Sequence, residues 1–244
     1  MDIYRAAIRR TEDMGSRVSL FYFDKPPGFG WDEGAHVHLA LPGFNDTERP
    51  DKSLVRHMSI LTLVDEQSVG VITRLDSSDS DYKRRLAAMG PGDECYLFKI
   101  GSALKLRRDG RPVAILTMGV AIGAARPLAI SYAKNPQGIP GMISLTVNRR
   151  DDYPFRAEME GLSAPGLKLM QAKSREAYRE ALRGLSTENS PRFLIIGSDE
   201  FMRESIFALR DKAVSPDDMV VDLKPEKRAA LFDSLGLSAA GIQA

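Results

Sequence analysis

The chain is poor in cysteine and in histidine. Of its 244 residues one is a cysteine, Cys95, and three are histidines, His36, His38 and His57. A lone thiol excludes an internal disulfide and any zinc or iron–sulfur centre held by cysteines of this chain alone. The scarcity fits a reducing, cytoplasmic setting. The histidines are too few for a metal centre to be expected, and His36 and His38 share a strand face as ordinary sheet residues do. Net charge is nearly absent as well, 34 Lys and Arg against 33 Asp and Glu, so bulk electrostatics does not point to nucleic acid. No apolar run approaches the ~18 residues of a membrane-spanning helix, and no membrane span is expected. The start of the chain has no basic region ahead of an apolar core, so no signal peptide is expected. Internal repeats and low-complexity stretches are missing too.

What is present divides in two. Residues 1–108 read as short β-rich runs between turn residues: Ile3–Ile8, Arg17–Phe23, Val37–Leu41, Val55–Val64, Val69–Leu75 and Glu94–Ile100. One helical piece lies between Ser77 and Gly90, with Tyr82, Leu86 and Met89 at helical spacing and Gly90-Pro91-Gly92 as its stop. Six short strands predict an antiparallel Greek-key β-barrel. The polar stretch 107–112 reads as a linker. From 112 to 244 strands alternate with helices: Val113–Leu116, a helix near 124–134, Met142–Val147, a helix near 154–162, a strand near 167–172, a helix near 175–185, Arg192–Ile196, a helix near 199–212, Met219–Asp222 and a helix near 226–235. That alternation predicts a parallel α/β domain. The tail from Ser238 is expected to fray.

The stretch Arg111–Arg126 stands out within this frame. A buried-strand run leads into small residues at Gly119, Ala121 and Gly123, then into a helical segment. Strand, small-residue turn and helix is the arrangement in which backbone N–H groups meet a ligand phosphate. A cofactor bound between the two halves would touch this turn.

Four segments carry a family resemblance. Arg56-His57-Met58-Ser59 resembles the Arg-x-Tyr-Ser motif of the ferredoxin–NADP reductase superfamily. Leu86–Asp93 resembles the segment entering that family's last barrel strand. Ile115–Gly123 is similar to its glycine-rich nicotinamide-nucleotide turn, and Phe193–Ser198 looks like its later strand ending in Cys-Gly-x-Pro. The four occur in the family's order, from about residue 3 to residue 223.

The resemblance implies a β-barrel (1–108) that binds FAD and an α/β domain (112–244) that binds NAD(P). Arg56 would take the flavin pyrophosphate with its planar fork, and Ser59 would donate to the flavin N5 as the catalytic contact. Met58 replaces an aromatic ring on the isoalloxazine. His57 belongs to the motif without an assigned role. Thr73, Lys83, Gly101 and Ser102 are carried as flavin-side candidates, although Lys83-Arg84-Arg85 reads equally as a solvated helix face and 101–102 as a simple turn. Gly119, Ala121, Gly123 and Gly197 would line the nucleotide. Ser174 and Arg175 resemble the pair that holds a 2′-phosphate, with Arg149 adding charge, which points to NADPH; Asp151 and Asp152 keep NADH open. The bland alternative makes Ser174 an N-cap and Arg175 a solvent residue.

The implied activity is hydride transfer from NADPH to flavin, with electrons passed to a separate acceptor: ferredoxin, flavodoxin or a small molecule. Met58, Ala121 and Ile196 depart from the family pattern. They motivate the alternative of a non-catalytic or regulatory flavin-binding protein of the same fold.

Overall fold

A computed structural model describes residues 2–75, 80–151 and 153–237. The expected helix start near Ser77, the ribose candidate Asp152 and the tail from Ser238 lie outside the described residues. The chain divides into two compact units between Ser102 and Ala103. The division precedes the polar stretch 107–112 because Leu104 and Leu106 are buried in the apolar core of the second unit.

The first unit contains β1 (Ile3–Asp13), β2 (Val18–Asp24), β3 (His36–Ala40), β4 (Val55–Ser59), β5 (Ser68–Arg74), α1 (Asp81–Ala87) and β6 (Glu94–Gly101). They form one antiparallel sheet in the order β4-β3-β6-β1-β2-β5. β1 runs beyond its apolar stretch, as far as Asp13, because it pairs with β2 to the base of their hairpin. Its turn residues Gly15, Ser16 and Arg17 all have positive φ.

The run expected as one strand from Val55 to Val64 ends at Ser59. Thr62 explains the break. Its carbonyl accepts from Trp31 Nε1 at 2.7 Å, and its hydroxyl bonds Ser68 O and Gly70 N at 2.7 and 3.0 Å. The chain is thereby bent across the end of β5 instead of continuing along β3. The sheet order leaves β4 and β5 at opposite edges, and the Leu61 N–H bridges them by donating to Gly70 O at 2.9 Å.

Inside the sheet lie Phe21, Phe23, Phe29, Val37, Leu39 and Leu97, closed over by Tyr82 and Leu86 of α1. Each large apolar side chain so buried contributes about 1.5–3 kcal/mol. Cys95 belongs to this core and is fully buried.

The second unit contains β7 (Val113–Met118), α2 (Ile122–Lys134), β8 (Met142–Val147), α3 (Arg156–Glu160), β9 (Leu167–Ala172), α4 (Arg175–Gly184), β10 (Arg192–Ile196), α5 (Asp199–Arg210), β11 (Met219–Val221) and α6 (Pro225–Asp233). Its five strands are parallel, in the order β11-β10-β7-β8-β9. The chain steps outward from β7 to β9, then returns to the other side of β7. Right-handed crossovers require the helices to change face at that return. Two apolar clusters record the change: Ile115, Met142 and Leu194 pack with α2 and Met159 of α3, while Leu116, Leu145, Phe193 and Ile195 pack with α4, α5 and α6.

Burial first, and the Asp93 carboxylate second, push the Cys95 thiol up to about 12. At neutral pH it is therefore almost wholly protonated, and nucleophilic attack requires the thiolate. Native protein at pH 8 is expected to resist a thiol-specific disulfide reagent and to react with one equivalent after denaturation. Rapid labelling of the native chain would contradict this burial.

Candidate functional site

In an open parallel sheet the ligand crevice lies beyond the carboxyl ends of the strands, where the strand order reverses. Here that place is between β7 and β10. Gly119 follows β7 with φ +61°, and a Cβ built there meets nothing within 4 Å. Glycine is thus used for its left-handed backbone, and the turn faces open space. A 3₁₀ turn, Gly119–Ala121, leads into α2, whose N-cap Ala121 offers no side-chain acceptor to the first helical N–H groups. Gly123 is buried in the first turn of α2. Beneath this turn the hydroxyls of Thr117 and Thr146 meet at 2.9 Å, both buried.

Gly197, after β10, has a different reason to be glycine. A Cβ there would lie 2.6 Å from the Phe201 ring. Its smallness lets α5 close down on β10, with Ser198 accepting from Phe201 N at 3.3 Å as N-cap.

Of the residues expected around a 2′-phosphate, Ser174 and Arg175 are engaged within the protein, while Arg149 is exposed. Gln171 Nε2 donates to Asn148 O and Arg150 O at 3.0 and 2.8 Å, fixing the loop after β8 on which Arg149 is exposed. Lys173 pairs with Asp151 at 2.8 Å. The Ser174 hydroxyl caps α4 by accepting from Ala177 N at 3.0 Å. Arg175 does not stand beside it in solvent. Its guanidinium turns toward α5, pairs with Glu204, lies 3.5 Å from Glu200 and reaches Met118 Sδ at 3.2 Å. Glu204 and Met118 are therefore partners of Arg175 that the sequence reading missed. The available signal was the acidic pair Glu200 and Glu204, one helical turn apart on α5.

In the first unit the structure divides the β4 motif between two faces. Arg56 and Met58 stand opposite Leu39 and Val37, while His57 and Ser59 stand opposite His38 and His36. The bonds Leu41 N to Leu54 O and Ile60 N to Ala35 O set the phase of the ladder. In that phase the backbone groups of Arg56 and Met58 bond β3, and those of His57 and Ser59 point away from it, along the edge of the sheet.

Arg56 Nη1 donates to Ser53 O and Val55 O at 2.9 and 2.8 Å, and Nη2 donates to Ser80 Oγ at 3.2 Å. The fork also sits 4.7 Å over the Tyr82 ring. Two carbonyls thus orient the guanidinium toward the start of α1. Met58 is half-buried against the barrel core, so it does not stand clear as a platform. His57 is exposed, with its ring 4.0 Å from that of His36. Gly101 adjoins His36 so closely that a Cβ would lie 3.0 Å from Nε2, and Ser102 Oγ donates to Glu33 O at 3.4 Å. Thr73 shares the inward face of β5 with Val69 and Val71 but is only half-buried. Lys83 lies half-buried on α1 among charged neighbours, with Arg84 and Arg85 paired to Asp81.

These two units, with their order and topology, have a fold already known. Solved structures share it. A ferredoxin NADP+ reductase from Neisseria gonorrhoeae, solved with FAD and NADP bound, superposes with a TM-score of 0.72 at 16% identity, over 86% of this chain and 92% of that one. The CS-b5R domains of human Ncb5or, in the NAD+ form, give 0.72 at 15% identity, over 91% and 70%. The siderophore-interacting protein SipS from Aeromonas hydrophila gives 0.65 at 16% identity, over 96% and 98%. At such identities the likeness is one of fold. No protein-family model matches the sequence, and no curated protein matches it.

The buried hydroxyl pair beneath the turn provides a stability test. Thr117→Val or Thr146→Val leaves one buried hydroxyl without its partner and is expected to cost about 1–3 kcal/mol. The double substitution is expected to cost clearly less than the sum of the two. Denaturant melts of the three variants measure this; strict additivity would mean the hydroxyls do not interact.

Proposed function

We propose that the chain is an FAD-dependent reductase that takes hydride from NADPH or NADH and passes electrons to an external acceptor. The observation that carries the proposal is the Gly119 turn at the strand-order reversal of a parallel unit that follows a six-stranded antiparallel sheet. The first unit would bind FAD and the second the nicotinamide nucleotide.

The residues of β4 fit a flavin at the sheet edge. Arg56 is already oriented by two carbonyls, and its contact to Ser80 Oγ is one that a phosphate oxygen can replace. Ser59 and His57 present backbone groups along that edge, and the Ser59 hydroxyl is the proposed donor to the flavin N5. Thr73, Lys83, Gly101 and Ser102 are proposed to bound the same site. Bound FAD supplies the hydride-accepting and electron-releasing chemistry. The protein's part is to hold, orient and desolvate; hydride transfer demands no general acid or base. In the second unit Gly119, Ala121 and Gly123 would approach the dinucleotide phosphates with backbone N–H groups.

The acceptor is proposed as an acidic carrier protein such as ferredoxin or flavodoxin, or a small oxidant such as a ferric chelate. The likeness to the Neisseria ferredoxin NADP+ reductase and to the Aeromonas siderophore-interacting protein supports each in turn. Pairing of Arg84 and Arg85 with Asp81 weakens the basic patch that would favour the protein carrier. A second reading, a non-catalytic or regulatory flavin-binding protein, is favoured by Met58, which packs against the apolar core of the first unit at the position where the resembled family has an aromatic ring.

The deciding experiment is anaerobic titration of the FAD-reconstituted protein with NADPH and NADH, followed by flavin absorbance. Bleaching supports the reductase. Bound flavin that stays oxidised supports the second reading, and failure to bind FAD contradicts both. Arg56→Ala is expected to weaken FAD binding by about 1.5–3 kcal/mol, the range for hydrogen bonds to charged groups. Titration calorimetry checks it, and unchanged affinity would remove Arg56 from the site.

A further inference from the structure

Arg175 opens α4 at the carboxyl edge of the sheet, where a dinucleotide's phosphates belong in this topology. Its backbone is fixed by the Ser174 cap. Its side chain is not aimed outward: one nitrogen touches Met118 Sδ at the mouth of the Gly119 turn, and the other pairs with Glu204. The side chain is three-quarters covered, and its guanidinium lies 5.5 Å over the Phe201 ring. Glu204 is not held by Arg175 alone, because Arg179 Nε pairs with its other oxygen. Rotation of Arg175 away from α5 would therefore leave Glu204 paired with Arg179 through its other oxygen, so the carboxylate keeps one cation. One arginine side chain thus has two possible anionic partners, Glu204 and a ligand phosphate, and moving between them requires only side-chain rotation.

We propose that Glu204 sets coenzyme choice by holding Arg175 as a latch. This inference rests on the nucleotide-binding reading of the second unit. With the latch closed a 2′-phosphate brings no advantage, and the site does not prefer NADPH over NADH. A 2′-phosphate gains Arg175 only by displacing Glu204, so the two anions compete for one fork. Glu200, exposed and 3.5 Å away, makes a lesser contribution.

Calorimetric binding of 5′-AMP and 2′,5′-ADP to the full chain tests the latch without turnover. In the parent the two probes are expected to bind with similar affinity. Glu204→Gln, which keeps the shape and removes the charge, is expected to tighten 2′,5′-ADP by at least about tenfold, as befits a charge-assisted contact, and to leave 5′-AMP unchanged. Adding Arg175→Ala to it is expected to abolish the gain, and Glu204→Asp, which retains the carboxylate, to behave as the parent. A parent that already prefers 2′,5′-ADP tenfold, or a Glu204→Gln variant with the parent's ratio, would overturn the latch. If neither probe binds parent or variant, the nucleotide reading itself fails, and the latch with it.

Discussion

β7 is hydrogen-bonded in parallel on both sides, to β8 and to β10, and Val113–Thr117 are all buried. The order of the other strands is set around it. Because the chain leaves β7 in one direction and returns on its other side, the helices must occupy both faces, and the connections at the carboxyl edge part at this strand. The turn that leaves β7 opens into that parting. Gly119 is glycine for backbone reasons, with open space before it, whereas Gly197 on the neighbouring strand is glycine so that Phe201 can pack. Two glycines at one edge thus serve different ends, and of the two only Gly119 faces open space.

The site proposed in the first unit lies along an edge. A central strand spends its backbone groups on both neighbours; β4 has a neighbour on one side in the sheet order and so retains a polar border. Alternation places Arg56 and Met58 on one face and His57 and Ser59 on the other. A ligand that meets both Arg56 and Ser59 must therefore run along the border, not across a face. Arg56 serves such a ligand because carbonyls from Ser53 and Val55 have already chosen its direction, which removes much of the side-chain entropy a free arginine would lose on binding.

The architecture was largely legible because its strands obey simple rules. Met142–Val147 and Arg192–Ile196 read correctly as short apolar runs bounded by glycine or proline, since strands buried on both faces need no alternation. Val55–Val64 misled for the same reason: the apolar run persists, but the Thr62 hydroxyl ties the chain to Ser68 and Gly70 and turns it. Leu104 and Leu106 carried a signal of burial that the surrounding polar residues outweighed. The site was legible in part. A glycine turn after a buried strand declares itself, but the direction of a long side chain does not. Arg175 looked like a phosphate ligand from its position after a strand, and its partner Glu204 stands 29 residues later on another helix; only the packing of α4 against α5 brings them together.

The central claim is that the two units bind different parts of one redox system, the flavin on the β4 border and the nucleotide at the β7 turn. Residue-resolved amide hydrogen exchange on the full chain tests it most directly. The amides of Arg56 and Met58 bond β3 and should exchange slowly throughout. Those of His57 and Ser59 point away from β3 and should slow on addition of FAD, while the amides of 119–122 should slow on addition of nicotinamide nucleotide. Unchanged exchange at His57 and Ser59 with saturating FAD, or nucleotide protection confined to segments away from 119–122, would contradict the account.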